Sequence, residues 1–86
     1  MQIENLGSNQ VVVRTSKANV LFSYNTPVAA YILTSDFPYN RESHYIRTEE
    51  FWSVTTSKHI NSWLRSLGLN PDLVKKVPQS ELDNLI

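Results

Sequence analysis

"FWSVTTSKHINSWLRSLG", residues 51–68, is the stretch where the hydrophobic pattern changes period, and it decides the fold class. From Val54 onward, Thr56, Ile60, Trp63, Leu64 and Leu67 recur at helical spacing and form one apolar stripe. Lys58, Asn61, Ser62 and Arg65 fall on the opposite side. Thr55 or Thr56 suits the N-cap, and Gly68 suits the left-handed position just past the helix end. Trp63 is expected to face inward, and Trp52 to shield the helix entry.

Toward the N-terminus the pattern is that of strands. Gln2–Leu6 reads as a short strand before a Gly7-Ser8-Asn9 turn, and Gln10–Thr15 is β-branched through Val11, Val12 and Val13. Val20, Phe22 and Tyr24 recur with period two, and Asn25-Thr26-Pro27 breaks the run. Pro27 cannot donate to a ladder, so it should start a strand or lie at an edge. Val28, Ala30 and Ile32 are expected on one face of the next strand, with Ala29, Tyr31 and Leu33 on the other. Two apolar faces imply a central strand covered on both sides, or a surface that meets a partner. The segment 34–43 reads as the longest loop, and His44–Thr48 as a final strand.

Toward the C-terminus, Asn70 as cap, Pro71 as first helical residue, and Lys75 and Lys76 near the end predict a second short helix. Pro78 is expected to start a third piece that packs through Leu82, Leu85 and Ile86. The predicted fold is α+β: a small antiparallel β-meander of about four to five strands, packed on one main helix with short C-terminal helices. It forms a single domain, β-rich over 2–48 and helical over 54–86.

Composition narrows the function classes. The 86 residues carry eight basic and eight acidic side chains, which argues against bulk attraction to nucleic acid or anionic membrane. With no cysteine, neither a disulfide nor a thiolate metal site can reinforce the fold, which fits a reducing compartment. The N-terminal MQIENLGSNQ has no basic region or apolar run, so no signal peptide and no membrane association are expected.

No residue set points to catalysis. Ser57 and His59 stand too close on a helix to face one another, and Thr55, four before His59, is more simply a cap. His44 and His59 show no metal-ligand spacing, so no metal and no cofactor are expected. The candidate binding surface is Arg47, Lys58, Asn61 and Arg65, together with the aromatic loop residues Phe37 and Tyr39. Such a surface suits a protein partner. The alternative is nucleic acid, contacted by the basic helix face of Lys58 and Arg65 with Arg47. A flat meander also has unpaired edges, which leaves a homodimer open.

Two motifs carry a resemblance. Ser53-Val54-Thr55-Thr56-Ser57-Lys58-His59-Ile60-Asn61, followed by Trp63-Leu64, resembles the S-x-T-T-S-K-H-I-N-x-W-L signature of a family of small uncharacterised proteins frequent in tailed-bacteriophage genomes. Tyr24-Asn25-Thr26-Pro27-Val28-Ala29 resembles the Y-x-T-P-V-A segment that precedes it, and the similarity covers roughly residues 10–67. The resemblance implies a non-enzymatic phage accessory protein in the host cytoplasm, with a host or phage protein as partner. It also implies that the recurring polar set is more than a cap. Thr26, Thr55, Thr56 and His59 are read as a structural latch, in which hydroxyls satisfy the first-turn N–H groups, Thr26 pins the helix start, and His59 bonds a strand carbonyl.

Overall fold

Tight turns set the order of the strands. The computed structural model describes residues 2–7, 9–32 and 44–85. Strand β1 (Gln2–Gly7) returns as β2 (Gln10–Arg14) through Asn9, whose φ of 62° lies in the left-handed region. At the β2–β3 turn, Thr15 Oγ1 accepts the N–H groups of Lys17 (3.1 Å) and Ala18 (3.2 Å), a hydroxyl standing in for backbone partners. Strand β3 (Ala18–Ser23) meets β4 (Thr26–Ile32) in a two-residue hairpin, with Ser23 opposite Thr26. Tyr24 and Asn25 take φ of 50° and 66°, as a type I′ turn demands at both central positions. The period-two run therefore ends at Ser23, and Tyr24 belongs to the turn rather than to the strand.

The sheet has six strands in sequence order. The first five, ending in β5 (Tyr45–Thr48), pair antiparallel, and β6 (Lys75–Val77) joins β5 in parallel. The fold is α+β, as the pattern predicts, with more strand at the C-terminal end than expected. Asn70 does cap, through Oδ1 accepting from Asp72 N at 3.0 Å, but only a 3₁₀ turn of three residues, Pro71–Leu73, follows. The second predicted helix is replaced by β6. Val74 packs with the cluster under the main helix and Val77 with the cluster on the other sheet face. Residues three apart reach opposite faces in a strand, whereas a helix would turn them to one side.

Helix α1 (Val54–Ser66) lies on one face of the sheet and the short α2 (Gln79–Asp83) on the other. The first core joins Val12, Leu21, Val28, Ala29, Tyr45, Ile60, Trp63 and Leu64, with Tyr31 and Leu67 at its margin. The second joins Ala18, Val20, Ala30, Val77 and Leu82, with Phe22, Ile32, Ile46 and Leu85 packed against it. Strand β4 is thus covered on both sides, as its two apolar faces predict. The assignment of Val28 needs correction. Leu21 pairs with Ala29 and Phe22 with Pro27, so Val28 is the extra residue of a bulge and shares the α1 face with Ala29. The bulge falls beside Pro27, where a strand lacks an N–H to donate.

The ends of α1 are closed by local chemistry. Ser53, not Thr55 or Thr56, is the N-cap: its Oγ accepts from Thr56 N at 3.0 Å. Gly68, at φ 81°, places its N–H on Arg65 O (2.9 Å) while Leu69 N–H reaches Leu64 O (3.0 Å), a Schellman closure.

Candidate functional site

Ser53 takes the cap, so the Thr56 hydroxyl is released to point inward. One helical turn on, His59 projects from the same face. Both meet Ser23, whose Oγ lies 3.0 Å from Thr56 Oγ1 and 2.8 Å from His59 Nδ1. All three residues are buried, Ser23 with only 2% of its surface exposed. A hydroxyl has one proton and two lone pairs, so Ser23 can accept both bonds or donate one and accept the other, and either imidazole tautomer is accommodated. The ring of Tyr24 stacks on His59 at 5.9 Å, so the turn's strained residue has a packing partner.

A latch between helix and sheet therefore exists, built from Ser23, Thr56 and His59. His59 bonds a side chain rather than a strand carbonyl. Thr55 is exposed and takes no part, and Thr26 lines the neighbouring cleft instead. Ser23 was legible in one respect: it follows Leu21 by two, on the helix-facing side, where a hydroxyl must find a partner. Nothing local says that the partners stand 33 and 36 residues further on.

A second thread ties the helix entry to the opposite face. Trp52 Nε1 donates to Gln79 Oε1 at 3.2 Å, and Gln79 Nε2 donates to Pro27 O at 2.6 Å and to Asp83 Oδ1 at 3.1 Å. Trp52 stays half-exposed. Between it and the hairpin turn lies a cleft of about 200 Å³ lined by Ser23, Tyr24, Thr26, Trp52, Ser53 and Thr56. Tyr24 and Trp52, which line it, are 50% and 49% exposed, and Phe51 and Val54, next in sequence to the lining residues Trp52 and Ser53, are 72% and 63% exposed. Sequence pattern gave no warning of this surface, because Phe51 and Val54 read equally well as helix-entry packing.

The expected binding set divides. Lys58 and Arg65 are exposed on the outer face of α1. Arg47 and Asn61 turn to each other at the seam between helix and sheet, with Arg47 Nη1 donating to Asn61 Oδ1 (3.1 Å) and Pro71 O (3.4 Å). Burial pushes the Arg47 guanidinium below its ordinary pKa, and the nearby charge of Asp72 opposes that shift. Its Nε is buried without a hydrogen-bond partner among the described residues. Arg47 is thus a half-buried seam residue bonded to Asn61, which lies between the exposed Lys58 and Arg65 on α1. Phe37 and Tyr39 lie outside the described residues. Among those described, no three His, Asp or Glu side chains cluster closely enough to hold a metal ion.

A family of unknown function, DUF8033, matches residues 1–84. The chain belongs to that family. No curated protein and no solved structure matches it. The family match spans the whole described sheet and both helices, so the latch and the aromatic rim are parts of one family unit rather than an appended segment.

Proposed function

We propose that this chain is a non-enzymatic phage accessory protein that acts in the host cytoplasm by binding another protein, host or phage. The observation that carries the binding reading is the aromatic rim at the helix entry. Tyr24 and Trp52 line one cleft, Phe51 and Val54 adjoin its lining residues in sequence, and all four are at least 49% exposed. Aromatic side chains of this kind are the common anchors of protein interfaces, and exposed apolar clusters mark such sites. Glu49 and Glu50, both exposed just before Phe51, give the rim an acidic flank. The phage setting rests on the two sequence motifs.

The arrangement nearest to a catalytic one, Ser23 with His59, supports a structural role. Ser23 is 2% exposed and its hydroxyl is already shared between Thr56 and His59. A nucleophile needs a substrate within reach and a free path to it. On the nucleic-acid alternative, Lys58 and Arg65 supply the exposed cations of the helix face, and Arg47 is half-buried beside Asn61.

The test is affinity capture from bacterial lysate with the native chain and with Phe51→Ser/Val54→Ser, whose native positions are the most exposed of the rim. The expected result is a protein retained through nuclease treatment by the native chain and lost by the double variant at unchanged melting temperature. Loss of every partner on nuclease treatment overturns the reading in favour of nucleic acid.

A further inference from the structure

The two edges of the sheet are built differently. Strand β6 is three residues long and presents Lys75 and Lys76, both exposed. Shortness and lysines are the usual means of keeping an edge from pairing. Strand β1 has neither protection. It is six residues long, exposed throughout, and its one charged side chain, Glu4, is already held by Arg14 at 2.8 Å. Against that edge lies a groove of about 420 Å³ on the α2 side, lined by Ile3, Val13, Phe22 and Leu85 together with Thr15, Ser16 and Lys17. Ile3 is 66% exposed.

We propose that β1 pairs with β1 of a second copy, antiparallel about a twofold axis normal to the sheet, with the two Ile3 side chains opposite each other. The occupant follows from charge and symmetry. Among the described residues of β1 the one charged side chain, Glu4, is paired with Arg14, Lys17 is the charge in the groove lining, and the chain has a formal net charge of zero, so two copies meet without net repulsion. Pairing a strand with itself closes the assembly, and the lysine-bearing β6 edge does not propagate it.

The register follows from the strand itself. Residues opposite one another across an antiparallel pair share a sheet face, so a twofold axis of this kind must set one residue opposite its own copy. Regular pairing of β1 with β2 covers Gln2–Asn5, and the register shifts between Asn5 and Gly7, where Asn5 Oδ1 accepts from Gly7 N at 2.9 Å. That leaves Ile3 or Glu4 as the centre. A Glu4 centre sets like charges directly opposite, which is destabilising. An Ile3 centre sets Gln2 against Glu4, buries the exposed Ile3 and joins the two grooves into one apolar floor.

Because the chain has no cysteine, single-cysteine variants read the register directly. Directly opposite Cβ atoms lie about 4.5–5.5 Å apart, close enough that small adjustments allow a disulfide. The native chain is expected to sediment as a dimer, and Ile3→Lys as a folded monomer with unchanged circular dichroism. On mild oxidation Ile3→Cys should form covalent dimer well ahead of Glu4→Cys, Asn5→Cys and the distant Leu73→Cys. A monomeric native chain, a dimer that survives Ile3→Lys, or cross-linking strongest at residue 4, 5 or 73 overturns the proposal. The first of these outcomes is the one expected if a strand from a different protein occupies this edge.

Discussion

The two faces of the sheet are closed by unequal means. On one, the 13-residue α1 brings Ile60, Trp63 and Leu64 onto the sheet, and the Ser23–Thr56–His59 bonds lock it in place. On the other, the five-residue α2 covers β4 and β5 with Leu82, with Leu85 packing just past its end, and is fixed at its start by Gln79. The α1 face is closed over Val12, Leu21 and Ala29, and the cleft of about 400 Å³ that it leaves beside β1 is lined by Glu4, Arg14, Ser62 and Ser66 among others. The α2 face stops short, leaving Ile3 and Val13 beside an open groove. Both faces are apolar, so burial alone does not distinguish them. The faces differ in the length of covering helix and in what lines the part left uncovered: charged and polar side chains beside α1, mainly apolar ones beside α2.

Truncations on the two faces should reveal that inequality. Leu64→Ala, at a fully buried site under α1, should cost about 4 kcal/mol, because a locked helix cannot settle into the cavity. Leu82→Ala, equally buried, should cost about 2–3 kcal/mol, since a five-residue helix beside an open groove can relax toward it. Chemical-denaturation midpoints measure both. Equal costs would break the distinction between a locked face and a yielding one.

The latch gives the next effect in size. Ser23→Ala leaves the Thr56 hydroxyl and His59 Nδ1 buried without that partner, a loss of about 1–3 kcal/mol. Adding Thr56→Val removes one of the two stranded groups and should recover part of the loss. A double variant no better than the single would mean that the Thr56–Ser23 bond contributes little to holding α1 down. The cap comes after it. Ser53→Ala removes the acceptor for Thr56 N and should cost about 1 kcal/mol.

Much of this architecture could be read in advance, and the misses have one physical origin. The apolar stripe from Thr56 to Leu67, the stop at Gly68 and the two-sided burial of β4 all follow from local periodicity and turn chemistry. The bulge at Val28, the Ser23 partners and the conversion of residues 75–77 to a strand depend on contacts between distant segments. Lys75 and Lys76 complement a helix dipole as naturally as they guard a sheet edge, and only the opposed burial of Val74 and Val77 tells the two apart. The cap was misplaced for a similar reason. Ser53, Thr55 and Thr56 are all capable caps by residue type, and only the folded backbone shows that Ser53 takes the role and leaves the Thr56 hydroxyl to Ser23. Among the candidate site residues, Thr56 and His59 are visible as members of the recurring polar set that the resemblance singles out. Their partner on the sheet is not.

The smallest effect is expected where helix and sheet meet least comfortably. Arg47 holds Asn61 and Pro71 O through Nη1, but its Nε is buried without a partner among the described residues, and its charge is partly removed from water. Ser23 is the opposite case, with its hydroxyl engaged on both sides. Arg47→Met keeps the length of the side chain and removes both the buried charge and the unpaired nitrogen. It also strands Asn61 Oδ1, which is only half-buried and can turn to water. Replacing a partly buried ion by an apolar chain of similar size is often close to neutral. A change within about 1 kcal/mol in either direction is expected. A loss as large as that of Ser23→Ala would show that the seam, like the latch, fastens α1 to the sheet, and the locked face would then have two locks rather than one.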